Sequence, residues 1–208
     1  MAYVKAAERE GQIVTAAIRV LSRIGVPGTT LRSVAAEAGI SLGTLHYVFP
    51  SKDQLLRAVI GTVVEDISDA LRSGLDPDRG FEHALRTGMT TFWDKLVEGD
   101  VGLQIMQYEL SSYSLRSEAP DLARSQYEAY ISLVTRLCEQ AAIAAGERCA
   151  VGFDTLGRLA LASVDGLILQ YVANPDPVRA HGDLERALDM IVLLADPQPV
   201  AARPRNPR

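Results

Sequence analysis

Three hydrogen-bonding side chains, Thr44, His46 and Tyr47, stand among apolar residues in the segment SLGTLHYVFPSK (41–52), whose one charged residue is Lys52. A hydroxyl, an imidazole and a phenol on the outer side of a short helix can donate to and accept from base edges and phosphate oxygens. That is recognition chemistry, and the machinery for breaking bonds is missing. The histidines His46, His83 and His181 lie on separate elements with no metal-ligand grouping. Cys138 and Cys149 lack a second Cys or His pair at ligand spacing. No Ser-His-Asp or Cys-His set, no HExxH and no phosphate-cradling glycine loop after a strand is present. The expectation is no enzyme, no metal and no cofactor.

Helices must position these groups. The 3.6-residue period recurs along the chain and apolar/polar alternation does not, so no strand is predicted. The expected architecture is all-α with about nine helices. Ile13, Ala16, Ala17, Val20, Leu21 and Ile24 form one face of a first helix, broken by GVPG (25–28). Thr30 caps LRSVAAEA, which Gly39 ends. Ser41 caps the next helix and Pro50 limits it. A fourth opens at Ser51 with Gln54 three places on. Beyond GLDPDRG, Phe81, Leu85, Met89, Phe92, Trp93 and Leu96 make one stripe, and Leu103, Met106, Leu110 and Tyr113 another. The tail DPQPVAARPRNPR lacks a core face and reads as disordered.

Charge is uneven. Residues 1–60 hold seven basic against four acidic residues, +3, while the remaining 14 basic and 22 acidic residues give −8, for a total of −5. A basic head on an acidic body suits a chain that offers one end to a polyanion. Hydrophobic residues make up 48%, enough for a sizeable core. No run reaches the ~18 apolar residues of a spanning helix, and the N-terminus lacks the apolar block of a secretory signal. A reduced, cytoplasmic setting without membrane contact is expected.

Two short helices joined by a glycine turn and packed on a longer first helix describe a helix-turn-helix, whose second helix enters the DNA major groove. Leu45 and Phe49, four apart, face the core with Ile40. Leu42, Gly43, Thr44, His46 and Tyr47 are left to face the groove, Leu42 toward a thymine methyl and Tyr47 and His46 toward phosphates. Lys52, beside the start of the fourth helix, is placed for a phosphate, and Arg32 for a guanine or a phosphate. Each feature alone is ordinary surface, with Ser41 and Ser51 mere caps and Lys52 a solvated charge. Their conjunction carries the reading.

Residues 10–57, in particular IVTAAIRVLSRIGVPGTTLRSVAAEAGISLGTLHYVFPSKDQLL, resemble the DNA-binding domain of the TetR family of transcriptional regulators. The resemblance implies DNA contacts at Thr30, Arg32, Leu42, Gly43, Thr44, His46, Tyr47 and Lys52, to which Ser41 is added as the cap. His46 departs from the Tyr usual there, as Val48 does from an aromatic or His. It also implies a C-terminal ligand-binding and dimerisation domain. The expected division is 5–52 for the helix-turn-helix domain, 53–196 for the second domain and 197–208 for the tail.

LGRLALASVDGLILQYVA is apolar around more of its circumference than one buried face requires. A two-fold four-helix contact from about 154–173 and 179–195 is predicted, with Leu159, Asp165, Leu169, Leu184, Leu188 and Ile191 in it; central helices of a monomer are the alternative. Met89, Phe92, Trp93, Met106, Tyr113, Tyr127 and Tyr130 are candidates for an effector pocket and otherwise plain core, with Glu109 and Asp165 as polar anchors. For Asp165 a hydrogen bond across the dimer contact is expected ahead of a ligand contact. The expected activity is a homodimer on a palindromic duplex operator, repressing transcription until a small apolar or amphipathic effector releases it. A helical binding or scaffold protein without DNA binding is the rival; it would lack the salt dependence that phosphate contacts impose.

Overall fold

The computed structural model describes residues 2–73, 76–116 and 121–200. Among these residues nine α-helices carry the fold, as the helical period predicts. Helix α1 (Ala2–Gly28) buries Ile13, Ala16, Ala17, Val20 and Leu21 almost completely. Ile24, expected on the same face, is instead 48% exposed. It sits on the last turn before a break at Gly25 (φ 74, ψ 168), with Gly28 beside it instead of a core side chain.

Local rules fix the next three helices. Thr30 caps α2 (Leu31–Glu37): its hydroxyl accepts the Ser33 N–H at 3.1 Å, and Ser33 Oγ accepts the Thr30 N–H at 3.0 Å. This reciprocal cap satisfies two amides that the helix leaves open. At the other end Gly39 takes φ 66, so that its N–H reaches Ala36 O at 3.2 Å and that of Ile40 reaches Ala35 O at 3.0 Å. A left-handed residue is what this paired closure needs. Ser41 caps α3 (Leu42–Val48) by accepting the Thr44 N–H at 3.0 Å. Ser51 Oγ accepts the Gln54 N–H at 3.2 Å as α4 (Lys52–Arg72) begins.

The chain divides into two compact units. The first comprises residues 1–68 and 96–129, so α6 (Val101–Arg116) and the start of α7 (Asp121–Ala144) join the three N-terminal helices. The expected boundary at 52/53 coincides with the start of α4, whereas the first unit continues along α4 to residue 68. Within this unit α1 packs on α2 and along α6, and α2 packs on α3. Leu55, Leu56, Val59 and Val63 of α4 and Leu103, Met106 and Leu110 of α6 are buried.

Among the described residues the second unit comprises 69–73, 76–95 and 130–200. Its core uses Phe81, Leu85, Met89 and Phe92 of α5 (Gly80–Phe92), Leu133 and Leu137 of α7, and the facing sides of α8 (Phe153–Ala173) and α9 (Pro177–Ala195). A π-helical stretch, Trp93–Val97, continues α5. Its wider turn shifts the register, so Trp93 stays fully buried while Leu96, expected on the same stripe, is half-exposed.

Two short strands correct the strand-free expectation. β1 (Glu147–Arg148) pairs antiparallel with β2 (Gln198–Pro199), and the Val200 N–H extends the pairing to Gly146 O at 2.7 Å. Two residues cannot show an alternating pattern, so periodicity does not reveal them. The pairing also corrects the expectation of disorder for the start of the tail; residues 201–208 lie outside the described residues.

Candidate nucleic-acid interface

The turn between α2 and α3 is held from several sides. Gln12 of α1 donates its side-chain amide to Ala38 O at 3.0 Å. Glu37 of α2 accepts from Arg19 at 2.9 Å and Arg23 at 3.0 Å, both on α1. These arginines, four apart on one face, are absent from the predicted site; their spacing opposite an acidic helix end is the signal that marks them. The hydrogen bond from Arg19 first, and then that from Arg23, holds the Glu37 carboxyl below its usual value. A carboxyl with a lowered folded pKa contributes stability above its unfolded pKa and loses it as pH falls through the folded one. Glu37→Gln is therefore expected to flatten the acid limb of a melting-temperature profile below about pH 4.3, and an unchanged limb would count against this role.

On that frame α3 turns Leu45 inward, fully buried, with Phe49 following at the C-terminal end. Gly43, His46 and Tyr47 are exposed, Tyr47 at 90%. Leu42 and Thr44 are half-buried. Thr44 Oγ1 lies 2.8 Å from Ser41 Oγ, so part of its hydrogen-bonding capacity goes to the cap. Thr30 and Arg32 are exposed on the preceding element, and the Thr30 hydroxyl, like that of Ser41, is engaged in capping. The Tyr47 ring, so exposed, contributes almost nothing to the chain's own core.

Lys52 is placed differently from its expected role. Its ammonium donates to Val26 O at 2.6 Å and lies 5.2 Å from the centre of the Tyr113 ring. Burial lowers its pKa. Tyr113 and Glu109, expected to face an effector, meet the helix-turn-helix unit instead, Glu109 accepting the Val26 N–H at 2.9 Å.

The other pocket candidates divide between the units. Met106 is buried and Tyr127 half-buried in the first. Met89, Phe92, Trp93 and Tyr130 are buried in the second, where the Trp93 and Tyr171 rings meet edge-on at 5.7 Å. An apolar cavity of about 10 Å³ lies between α5 and α7, lined by Leu85, Gly88, Met89, Val134 and Cys138 among others. It contains one of the eight expected residues, Met89, and has room for about one water, far below the ~300 Å³ that a small-molecule site starts from. Burial beside this cavity raises the Cys138 thiol to about 12, which leaves it a plain core group.

The expected dimer residues split into two classes. Leu184, Leu188 and Ile191 are buried within the chain, 5% exposed or less. α9 packs them on its own neighbours, so they have no surface left for a partner. Leu159 and Leu169 of α8 stay outside, 41% and 55% exposed, and Asp165 is half-buried. Met190, Leu193 and Leu194, which the sequence reading passes over, are exposed on α9.

Comparison with known proteins agrees with this geometry. Residues 13–59 match the family described as bacterial regulatory proteins, tetR family. The chain is 29% identical over 178 residues to the nicotine-responsive transcriptional repressor HdnoR of Paenarthrobacter nicotinovorans, covering 85% of this chain and 90% of the relative. It is 30% identical over 191 residues to the transcriptional regulator BetI of Burkholderia cenocepacia, covering 89% and 93%. Its fold matches a TetR-family regulator from Rhodococcus sp. with a TM-score of 0.77 at 19% identity, over 91% of this chain and 99% of that one. The multidrug binding protein EbrR, solved with ethidium, matches with a TM-score of 0.65 at 26% identity, over 90% and 98%. With its exposed recognition helix and a likeness that runs through most of its length, this chain belongs to the TetR family of transcriptional regulators.

Proposed function

We propose that the protein binds a palindromic operator as a homodimer, represses transcription there, and is released by a small apolar or amphipathic effector. The observation that carries the DNA reading is α3, anchored by Leu45 and capped by Ser41, with Tyr47 90% exposed. Thr44, His46 and Tyr47 read or flank the bases, Leu42 and Gly43 allow close approach, and Arg32 adds a cationic contact. Thr30 and Ser41 act chiefly by holding the two helices.

Two-fold symmetry is supported by uncovered apolar surface. Only 33% of the apolar window of α8 is buried within the chain, although the helix is long and apolar enough in composition to cross a membrane. Leu159 and Leu169 add to Met190, Leu193 and Leu194 of α9, on which α8 packs. A second copy covers such a surface and pairs two recognition helices with half-sites roughly 34–36 Å apart. Asp165 then lies within the contact.

The effector class rests on the aromatic candidates of both units and on two relatives. HdnoR is nicotine-responsive and EbrR binds ethidium; both compounds are apolar rings carrying a basic or charged nitrogen. The cavity between α5 and α7 has to widen to admit such a molecule. Linkage then requires operator DNA to weaken effector binding by the same factor by which effector weakens DNA binding.

Incubation with a random duplex pool, followed by sequencing of what is retained, tests the reading. Wild type is expected to enrich a palindrome and the Thr44→Ala, Tyr47→Ala double variant to enrich nothing. No enrichment at low salt, by protein that mass spectrometry shows to be free of small molecules, overturns it.

A further inference from the structure

Residue Val26 is fully buried at the end of α1, where the break at Gly25 leaves its amide to a partner outside the helix. Both of its backbone groups are taken by charged side chains of opposite sign. Glu109 of α6 accepts the N–H at 2.9 Å, and Lys52, in the first turn of α4, donates to the C=O at 2.6 Å. Hydrogen bonds to ionised groups are about twice as strong as neutral ones. One turn beyond Glu109 on the same helix face, the Tyr113 ring lies under the Lys52 ammonium at 5.2 Å, within the range of a cation–π contact.

Gly25 makes the approach possible. At φ 74 it occupies the left-handed half of backbone space, and an added Cβ would stand 2.7 Å from Glu109 Oε2. The carboxylate therefore packs directly against backbone. To reach a DNA phosphate, Lys52 would have to give up the Val26 carbonyl and the Tyr113 ring together, leaving that buried acceptor with only the longer bond from the Thr29 N–H at 3.3 Å.

We propose that Lys52 is a positioning residue and not a phosphate ligand: with Glu109 and Tyr113 it forms a seat on α6 that fixes the helix-turn-helix head through Val26. This rests on the DNA-binding reading above and reverses the role expected for Lys52 from the sequence. The lowered pKa of Lys52 agrees with an inward ammonium. The seat also joins the head to α6 by side chains that can be changed without touching the recognition surface.

The test is a salt series of binding to the duplex enriched from the random pool. Each phosphate contact contributes about −0.9 to the slope of log K against log salt. Lys52→Met is expected to lower affinity about tenfold with the slope unchanged. Glu109→Gln and Tyr113→Leu weaken binding in the same way, Tyr113→Phe stays near wild type because the ring remains, and Lys52→Met, Tyr113→Leu is no weaker than Lys52→Met alone. A slope shallower by about 0.9 in Lys52→Met overturns the proposal whatever the α6 variants do, as does full affinity in Glu109→Gln and Tyr113→Leu. If no duplex is enriched, the DNA reading has failed and the seat is tested separately by urea denaturation. Non-additive losses for Lys52 and Tyr113 support it, and additive ones overturn it.

Discussion

Leu45→Ala is expected to cost about 2–5 kcal/mol of stability and to abolish duplex binding, while Tyr47→Ala changes stability by less than about 0.5 kcal/mol and loses only affinity. The two residues are neighbours on α3 and opposite in placement, Leu45 at 0% and Tyr47 at 90% exposure. A helix of seven residues is far below the ~12 that hold together alone in water. What holds α3 is the Ser41 cap, the Phe49 N–H closing on Leu45 O at 2.7 Å, and the one residue within it that is buried, Leu45. Removing that side chain leaves a cavity at the one buried residue within α3, so the recognition surface loses its shape before anything on it is changed. Circular dichroism melts and fluorescence anisotropy on the enriched duplex separate the two effects. A Leu45→Ala protein that melts like wild type, or a Tyr47→Ala protein that melts early, would show that α3 is held by something other than its buried face.

The same contrast explains what was legible beforehand. Thr30, Gly39 and Ser41 announce their roles through short-range chemistry: each acts on an amide or carbonyl within three residues or so, and a sequence displays that distance. Leu45 and Phe49 follow from a four-residue spacing. Lys52 does not, because a flexible four-carbon stem can turn either way and its acceptor, Val26 O, is 26 residues away. Glu109 looked like a buried polar anchor for a ligand; its partner is a backbone amide 83 residues distant, freed by a break whose position GVPG marks but whose consequence it does not. On α9 the difficulty is different. Two apolar stripes run along one helix, Leu184–Leu188–Ile191 and Met190–Leu193–Leu194; the sequence reading takes the first as the contact and passes over the second, because periodicity does not say which stripe faces the chain's own core. Only the packing of α9 on α8 and α5 decides that.

That decision sets the second large effect: Leu193→Glu combined with Met190→Glu is expected to convert a dimer to monomers and to remove operator binding, with the fold intact. Leu193 is 82% and Met190 62% exposed in the single chain, so a carboxylate at either place meets water in the monomer and costs little. In a two-fold contact each substitution occurs twice, placing four charges without partners in an apolar interface. The penalty is several kcal/mol per ion, and ~4 kcal/mol already weakens association about a thousandfold. DNA binding falls with it, since one recognition helix reads only half of a palindrome. Leu188→Ala tests the opposite stripe. Leu188 is 3% exposed, so its truncation is expected to lower the melting temperature through an internal cavity at a cost of about 2–5 kcal/mol. Sedimentation velocity across a concentration series reads the first variant, and thermal melts of the same samples read both. Were the double glutamate variant still dimeric, the exposed stripe of α9 would not be the contact.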